Sequence, residues 1–409
     1  MNTMDHSDIA APAVTSGPEQ THLRAGFIPL VDASVLIAAA ELGFASREGL
    51  TLDLVRDVSW ANIRDRLAFR QFDVAHMLSP MPIAAMLELG SNPSPTIAPF
   101  VLGRGGNAIT LSVRLFEQMQ ALTGLADDAS ALDCARALSR VIAARKNNGE
   151  GPLTLGMTYP YSSHNYELRY WLAAGGVDPD RDIRLRVVPP PMTSDALAAG
   201  AIDGFCVGAP WNMIASERGV GRIVATKQDI WASSPEKVIG LRPDWADRNR
   251  DSVSRLIVAL NAAARWCDDT ANHGALAELL AQEANLDAPV EIIRHVLAGQ
   301  FALDAKGNRR LMPNYFVFHG AEANCPSTAQ ALWVYSQMVR WGQVAYSPEA
   351  AATAASAFRS DLYSEALGLS EGPCEEAVAD PFIDGRSFDP KELDAYIRGF
   401  AAPNQTAAD

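Results

Sequence analysis

Short apolar runs and stretches of helical periodicity take turns along this chain. From His22 the run LRAGFIP leads into the alanine-rich DASVLIAAAELGFASREG, then TLDLVRD, a helical pattern from Ser59 to Phe69, and the short run DVAHML. A second set starts at Leu153 with LTLGMTYP and continues through a helix over 164–174, IRLRVVPP, a helix over 193–199, GFCVGAP, a helix over 211–217 and RIVATK. Strands alternating with helices at this spacing predict parallel sheets with helices on their faces. Two such sets predict two α/β lobes.

The connections divide the chain further. Gly-rich LGRGGNAITLSV (Leu102 to Val113) leads out of the first set, and PEKVIGLRP (Pro235 to Pro243) leads back, so both are expected to cross between lobes and to act as a hinge. LTGLADDASALDCARALSRVIAARKNNGEG reads as one or two amphipathic helices on the second lobe. After Trp245 the pattern is helical through Ala284, and the aromatic-rich PNYFVFHGAEANCPSTAQALWVYSQMVRWGQ is expected to pack back onto the first lobe. The resulting division is a flexible extension over 1–21, a first lobe over 22–108 and 240–400, and a second lobe over 109–239. The tail AAPNQTAAD is expected to fray.

Composition narrows the function. With 409 residues, 48 % of them hydrophobic and 20 % charged, the chain can bury a large core. Its formal charge of -14 argues against nucleic acid or an anionic membrane as a direct partner, since both call for a basic stripe. The opening MNTMDHSDIAAPAVTSGPEQTH has acidic residues where a secretory signal has basic ones, and it has no apolar run, which predicts a cytoplasmic location. Cys134, Cys206, Cys267, Cys325 and Cys374 show no CxxC spacing and read as reduced thiols.

Candidate chemistry lies where strands hand over to helices, since ligands of open α/β sheets bind beyond the carboxyl ends of the strands. Those junctions carry Pro29 to Asp32, Ser59-Trp60, Leu78 to Pro80, His164, Pro189 to Thr193, and Gly208 to Asn212. His164 follows Ser162 and Ser163 at a helix start, where free N–H groups and a positive dipole suit an anion; it could equally cap or pack. Trp60 offers either a core side chain or a flat wall with an indole donor. Ser79 before Pro80 reads first as a helix cap, and Gly208 as a turn or a backbone contact. Lys227 and Lys237 are the nearby cations, between which sequence physics does not choose. No nucleophile elbow, phosphate loop or metal-ligand spacing occurs, so the chain reads as a binding protein rather than an enzyme, with no metal and no cofactor.

The stretches LRAGFIPLVDASVLIAAAELGFASREGLTLDL, SWANIRDRLAFRQFDVAHMLSPMPIAAMLELG, GNAITLS, HNYELRYWLAAGGVDPD, VGAPWN, IWASSPEKV and PSTAQALWVYSQMVRWG come in an order that carries a resemblance. Together, over about residues 22–345, they resemble the nitrate- and bicarbonate-binding proteins of bacterial ABC uptake systems. The resemblance implies a two-lobed periplasmic-binding-protein-like α/β fold of type II, with a small anion in the cleft. It implies Trp60, Asn107, His164, Gly208 and Lys237 as ligand residues, with Ser79, Pro80, Trp211 and Asn212 behind them. Asn107 stands where that family usually has glutamine, and Lys237 in PEK is the residue implied to favour nitrate or nitrite over bicarbonate. Joined to the polar N-terminus, the resemblance extends to the cytoplasmic NasS-type sensors, which imply an ANTAR-domain antiterminator as partner. The alternative is the solute-binding component of a nitrate-type ABC importer. Enzymes of this fold, such as the pyrimidine-precursor synthases of thiamine biosynthesis, carry a cysteine-rich iron motif that this sequence lacks.

Overall fold

The computed structural model describes residues 21–232, 234–320, 323–370, 374 and 381–400. The expectations for residues 1–20 and for the 401–409 tail lie outside them. Thr21 already belongs to a strand.

Thirteen strands run along the described chain: β1 Thr21–Phe27, β2 Leu50–Arg56, β3 Val74–Leu78, β4 Ile97–Gly105, β5 Asn107–Ser112, β6 Leu153–Met157, β7 Ile183–Val187, β8 Gly204–Gly208, β9 Gly221–Thr226, β10 Pro235–Leu241, β11 Gln300–Ala302, β12 Arg309–Leu311 and β13 Phe316–Val317. They form a six-stranded sheet in the order β13-β4-β10-β3-β1-β2 and a five-stranded sheet in the order β7-β6-β8-β5-β9, with β11 and β12 as a separate pair. β1 lies parallel to β2 and β3, and β6 parallel to β7 and β8, as strand–helix alternation dictates.

Neither sheet is purely parallel, which corrects the expectation. β10 runs antiparallel to both β3 and β4, and β5 antiparallel to both β8 and β9. The cause is the double crossing. β5 enters the second sheet straight from β4, and β10 re-enters the first sheet from the opposite side, so each arrives against the local strand direction. The crossing from β4 to β5 turns on two glycines, with φ of +89° at Gly105 and +93° at Gly106. A Cβ at Gly105 would lie 1.8 Å from the Tyr315 carbonyl oxygen, so only glycine fits there.

The insertion forms two helices, Val113–Thr123 and Ala131–Asn147, capped by the hydroxyls of Ser112 and Ser130. In the C-terminal half, the helix Arg250–Asp268 packs on Ser34–Glu41 and so completes the first lobe. The helix Thr328–Arg340 packs on Pro80–Met86. It also sets Trp333 4.2 Å from Trp231, and Phe382 stacks on Trp333 at 5.3 Å, so this segment grips the return crossing too. Cys325 and Cys374 form a disulfide with Cα atoms 5.8 Å apart, correcting the reading of all cysteines as thiols. The pairing joins positions 49 residues apart, a proximity that only the tertiary fold creates. Cys134, Cys206 and Cys267 are free and buried.

Candidate functional site

The carboxyl ends of β1, β3, β6 and β8 meet β5 and β10 around a buried cluster of polar side chains between the two sheets, the chamber of the site. The first lobe brings Asp32 from the turn after β1, His76 from β3 and Trp60 from the first position of the helix Trp60–Ala68. The second brings Asn107 from β5, Gly208 from the end of β8, and His164 and Glu167 from the helix Ser163–Ala174. That helix is capped by Ser162, whose hydroxyl accepts from the Asn165 N–H. Lys227 opens the short helix Lys227–Ile230, and Glu236 and Lys237 come from β10.

A bulge delivers the last two. Neighbours on a regular strand face opposite ways, yet the register of β10 on β4 shifts at Lys237, and both side chains turn inward. Lys237 Nζ donates to Asp32 Oδ2 at 2.7 Å and to Glu236 Oε1 at 2.5 Å. Lys227 Nζ donates to Glu236 Oε2 at 2.5 Å and to the Pro235 carbonyl at 3.1 Å, and lies 3.2 Å from Glu167 Oε1. Asn107 Nδ2 donates to Glu236 at 2.6 Å and to Glu167 at 2.9 Å. Since Glu236 is ionised and only accepts, the amide orientation is determined. His76 Nδ1 accepts from the Ile28 N–H at 3.3 Å, which leaves the ring proton on Nε2, 3.1 Å from Asp32 Oδ1. His164 Nδ1 meets the Thr158 hydroxyl at 2.9 Å, and its Nε2 lies 3.5 Å from Glu236 Oε1.

Burial and pairing set the charge states. Burial pushes His164 down to about 3 and lowers His76 as well, so both rings are neutral. Burial alone would raise Asp32 and Glu236, but Lys237 beside Asp32, and Lys227 with Lys237 around Glu236, hold both carboxyls below their ordinary range. Lys237 is raised, because Asp32 and Glu236 outweigh its burial. Glu167 goes the other way: burial and the nearby Glu236 raise it to about 7 against the pull of Lys227.

Trp60 is buried, its ring centre 5.5 Å from Lys237 Nζ and 5.4 Å from His76. Its indole N–H, like Asn107 Oδ1 and His164 Nε2, is buried without a hydrogen-bond partner. Trp60 also lines a cavity of about 410 Å³ at the cleft mouth, between Ser59 and Arg64 of the first lobe and Thr158, Tyr159 and Pro189 of the second. Arg64 donates to the Tyr159 hydroxyl across this mouth at 2.8 Å.

The structure therefore gathers Trp60, Asn107, His164, Gly208 and Lys237 around one chamber, but changes two of their roles. Asn107 spends its amide nitrogen on two carboxylates, and Lys237 is already counter-charged. A Cβ on Gly208 would come within 3.0 Å of Asp32 Oδ2, so the glycine makes room for the network. Ser79 makes no cap bond. Its hydroxyl donates to the Pro235 carbonyl at 3.2 Å and lies 3.4 Å from the Ser163 hydroxyl, tying the lobes, while Pro80 takes the first helical position. Asn212 clamps Thr110 and the Val207 carbonyl, and Trp211 packs against the cluster of Leu197, Ile202, Phe205, Val207 and Ala215 and against the larger core that includes Trp60. Sequence reasoning missed His76, Asp32, Glu167 and Glu236. Asp32 lies in one of the strand-to-helix junctions and Glu236 in the PEK motif, whereas Glu167 falls in the first turns of a helix, where a glutamate also suits the helix start. Among the described residues no group of three His, Cys, Asp or Glu is placed to hold a metal ion.

This geometry has close relatives. The chain is 34 % identical over 390 residues to the nitrate import ATP-binding protein NrtC of Synechocystis, covering 94 % of this chain and 56 % of that one. It thus spans little more than half the length of that relative. It is 32 % identical over 417 residues to the nitrate/nitrite binding protein NrtA of Synechococcus elongatus, covering 97 % of this chain and 91 % of the relative. The crystal structure of the periplasmic nitrate-binding protein NrtA from Synechocystis superposes with a TM-score of 0.84 at 28 % identity, over 94 % of this chain and 99 % of that one. The two-lobed solute-binding fold is the one these proteins share. With residues 16–281 matching its pattern, the chain belongs to the NMT1-like family.

Proposed function

We propose that the protein binds nitrate or nitrite between its lobes, without catalysis, as the solute-binding component of an ABC-type importer. The observation that carries this reading is the Lys237 ammonium beside the unpartnered Trp60 indole and the neutral His164 ring, buried between the lobes behind the cavity that Trp60 lines. A planar monoanion with dispersed charge is weakly hydrated, so unpartnered polar groups and an aromatic wall beside the ion-paired Lys237 can offset much of its desolvation. The nitrate-binding relatives support the same ligand.

A cytoplasmic sensor that controls an ANTAR-domain antiterminator is the second reading. The Cys325–Cys374 disulfide favours the importer, because such bonds persist in oxidising compartments and are rare in the cytosol. Calorimetric titration with nitrate, nitrite and bicarbonate tests the ligand: nitrate or nitrite should bind and bicarbonate should not. Trp60→Phe, which keeps the wall and removes the donor, should weaken binding by about 1–3 kcal/mol. Binding of bicarbonate alone would overturn the ligand. An ANTAR-domain complex that dissociates in nitrate, seen by gel filtration, would overturn the importer.

A further inference from the structure

Two ammoniums face three carboxylates in the chamber, and the pairing is uneven. Glu236 takes both lysines, each at 2.5 Å. Asp32 has Lys237 at 2.7 Å and His76 at 3.1 Å. Glu167 holds the longer share of both its contacts: Lys227 is 3.2 Å from it and 2.5 Å from Glu236, and Asn107 is 2.9 Å from it and 2.6 Å from Glu236. All five side chains are buried.

We propose that Glu167 is a proton-binding site coupled to the ligand: each monoanion enclosed in the chamber arrives with one proton, taken from solvent onto the Glu167 carboxylate. The inference rests on the reading that a small monoanion binds there. With all carboxylates ionised and both histidines neutral, the chamber carries one uncompensated negative charge. An anion without a proton would make it two, in a region where an unpaired charge is costly. A proton on the least compensated carboxylate restores the starting balance.

The groups facing Glu167 leave it as the acceptor. Lys227, Glu236 and Lys237 form the network itself, and beyond Lys237 lie Asp32 and His76. His164 on the same helix is held neutral by burial, as are Cys206 on β8 and Tyr315, whose ionisation burial and the surrounding carboxylates oppose. Glu167 titrates near neutrality in the free protein. Uptake should therefore be small at a pH of about 5.5 and approach one proton per anion at about 8.5, where affinity falls about tenfold per pH unit.

The test is calorimetric titration of nitrate, and separately nitrite, at alkaline pH in buffers of different ionisation enthalpy. The wild-type protein should show a buffer dependence near one proton per anion. Glu167→Gln, an uncharged mimic of the protonated state, should show almost none and should bind with an affinity flat from about pH 6 to 9. Buffer-independent heat in the wild type overturns the coupling without touching the ligand assignment, and it needs no variant to fold. Undiminished uptake in a folded Glu167→Gln protein removes the proton from Glu167. Failure of nitrate and nitrite to bind at any pH overturns the coupling and the functional reading together.

Discussion

Removing Lys237 would strip the counter-charge from Asp32 and Glu236 at once. A lysine at an open anion site could be reversed to glutamate with loss of binding and an intact fold. Here Lys237 lies inside a buried network, and deleting one member of such a network costs about 3–5 kcal/mol. Lys237→Met should therefore unfold in urea at markedly lower concentration, and a loss under about 1 kcal/mol would show the network to be dispensable. Glu167 has the opposite sign. Its folded pKa is raised, so its stabilising protonated form is complete below the ordinary carboxylate range and is lost as pH climbs through about 7. Glu167→Gln has no such loss, and its stability relative to wild type should rise between pH 5 and pH 8.5 by on the order of 1–3 kcal/mol. A relative stability constant over that range would exclude the buried titration. Trp60 and His164 were legible in the sequence because a helix start following a strand marks the cleft without knowledge of distant contacts. Glu167 was not, since its partner Asn107 lies 60 residues away and its position also suits a capping role.

Elements position these residues through two departures from regularity. Strand alternation assigns Glu236 and Lys237 to opposite faces, and the shifted register of β10 overrides it. Strand direction was likewise hidden: the alternation of strands and helices identifies the elements, but whether β5 and β10 run with or against their neighbours depends on which lobe each comes from. The chain passes between the two sheets at Gly105-Gly106 and again on entering β10. Between the lobes, Arg64 on one helix and Tyr159 on the loop after β6 form a hydrogen bond across the cleft mouth. Tyr159→Phe should cost the closed state about 1 kcal/mol, which appears as a roughly fivefold faster release of bound anion with association little changed. Stopped-flow rates identical to wild type would mean that Arg64 and Tyr159 do not help to hold the lobes together.

At the scale of the whole molecule, the doubled pattern of strands and helices predicts two lobes, while the C-terminal third does not show how it holds them. The helix Thr328–Arg340 touches the first lobe through Pro80–Met86 and the return crossing through Trp333 and Trp231. Just before it, Cys325 is bonded to Cys374, closing a loop of 49 residues around that helix. Cysteine spacing carried no trace of this, because the pairing depends on how the last helices wrap. Constraining a loop of that length stabilises a folded chain by about 4 kcal/mol where the unfolded state bears the whole effect, and by less where it keeps structure. Cys374→Ser should therefore leave both sheets folded but lower the thermal midpoint and open the C-terminal segment to protease, and a reducing agent should do the same to the wild type. The chemistry can be counted directly: denatured without reductant, the protein should show three free thiols, those of Cys134, Cys206 and Cys267. A count of five, matching every cysteine in the sequence, would remove the disulfide and with it the main structural reason to prefer an oxidising compartment.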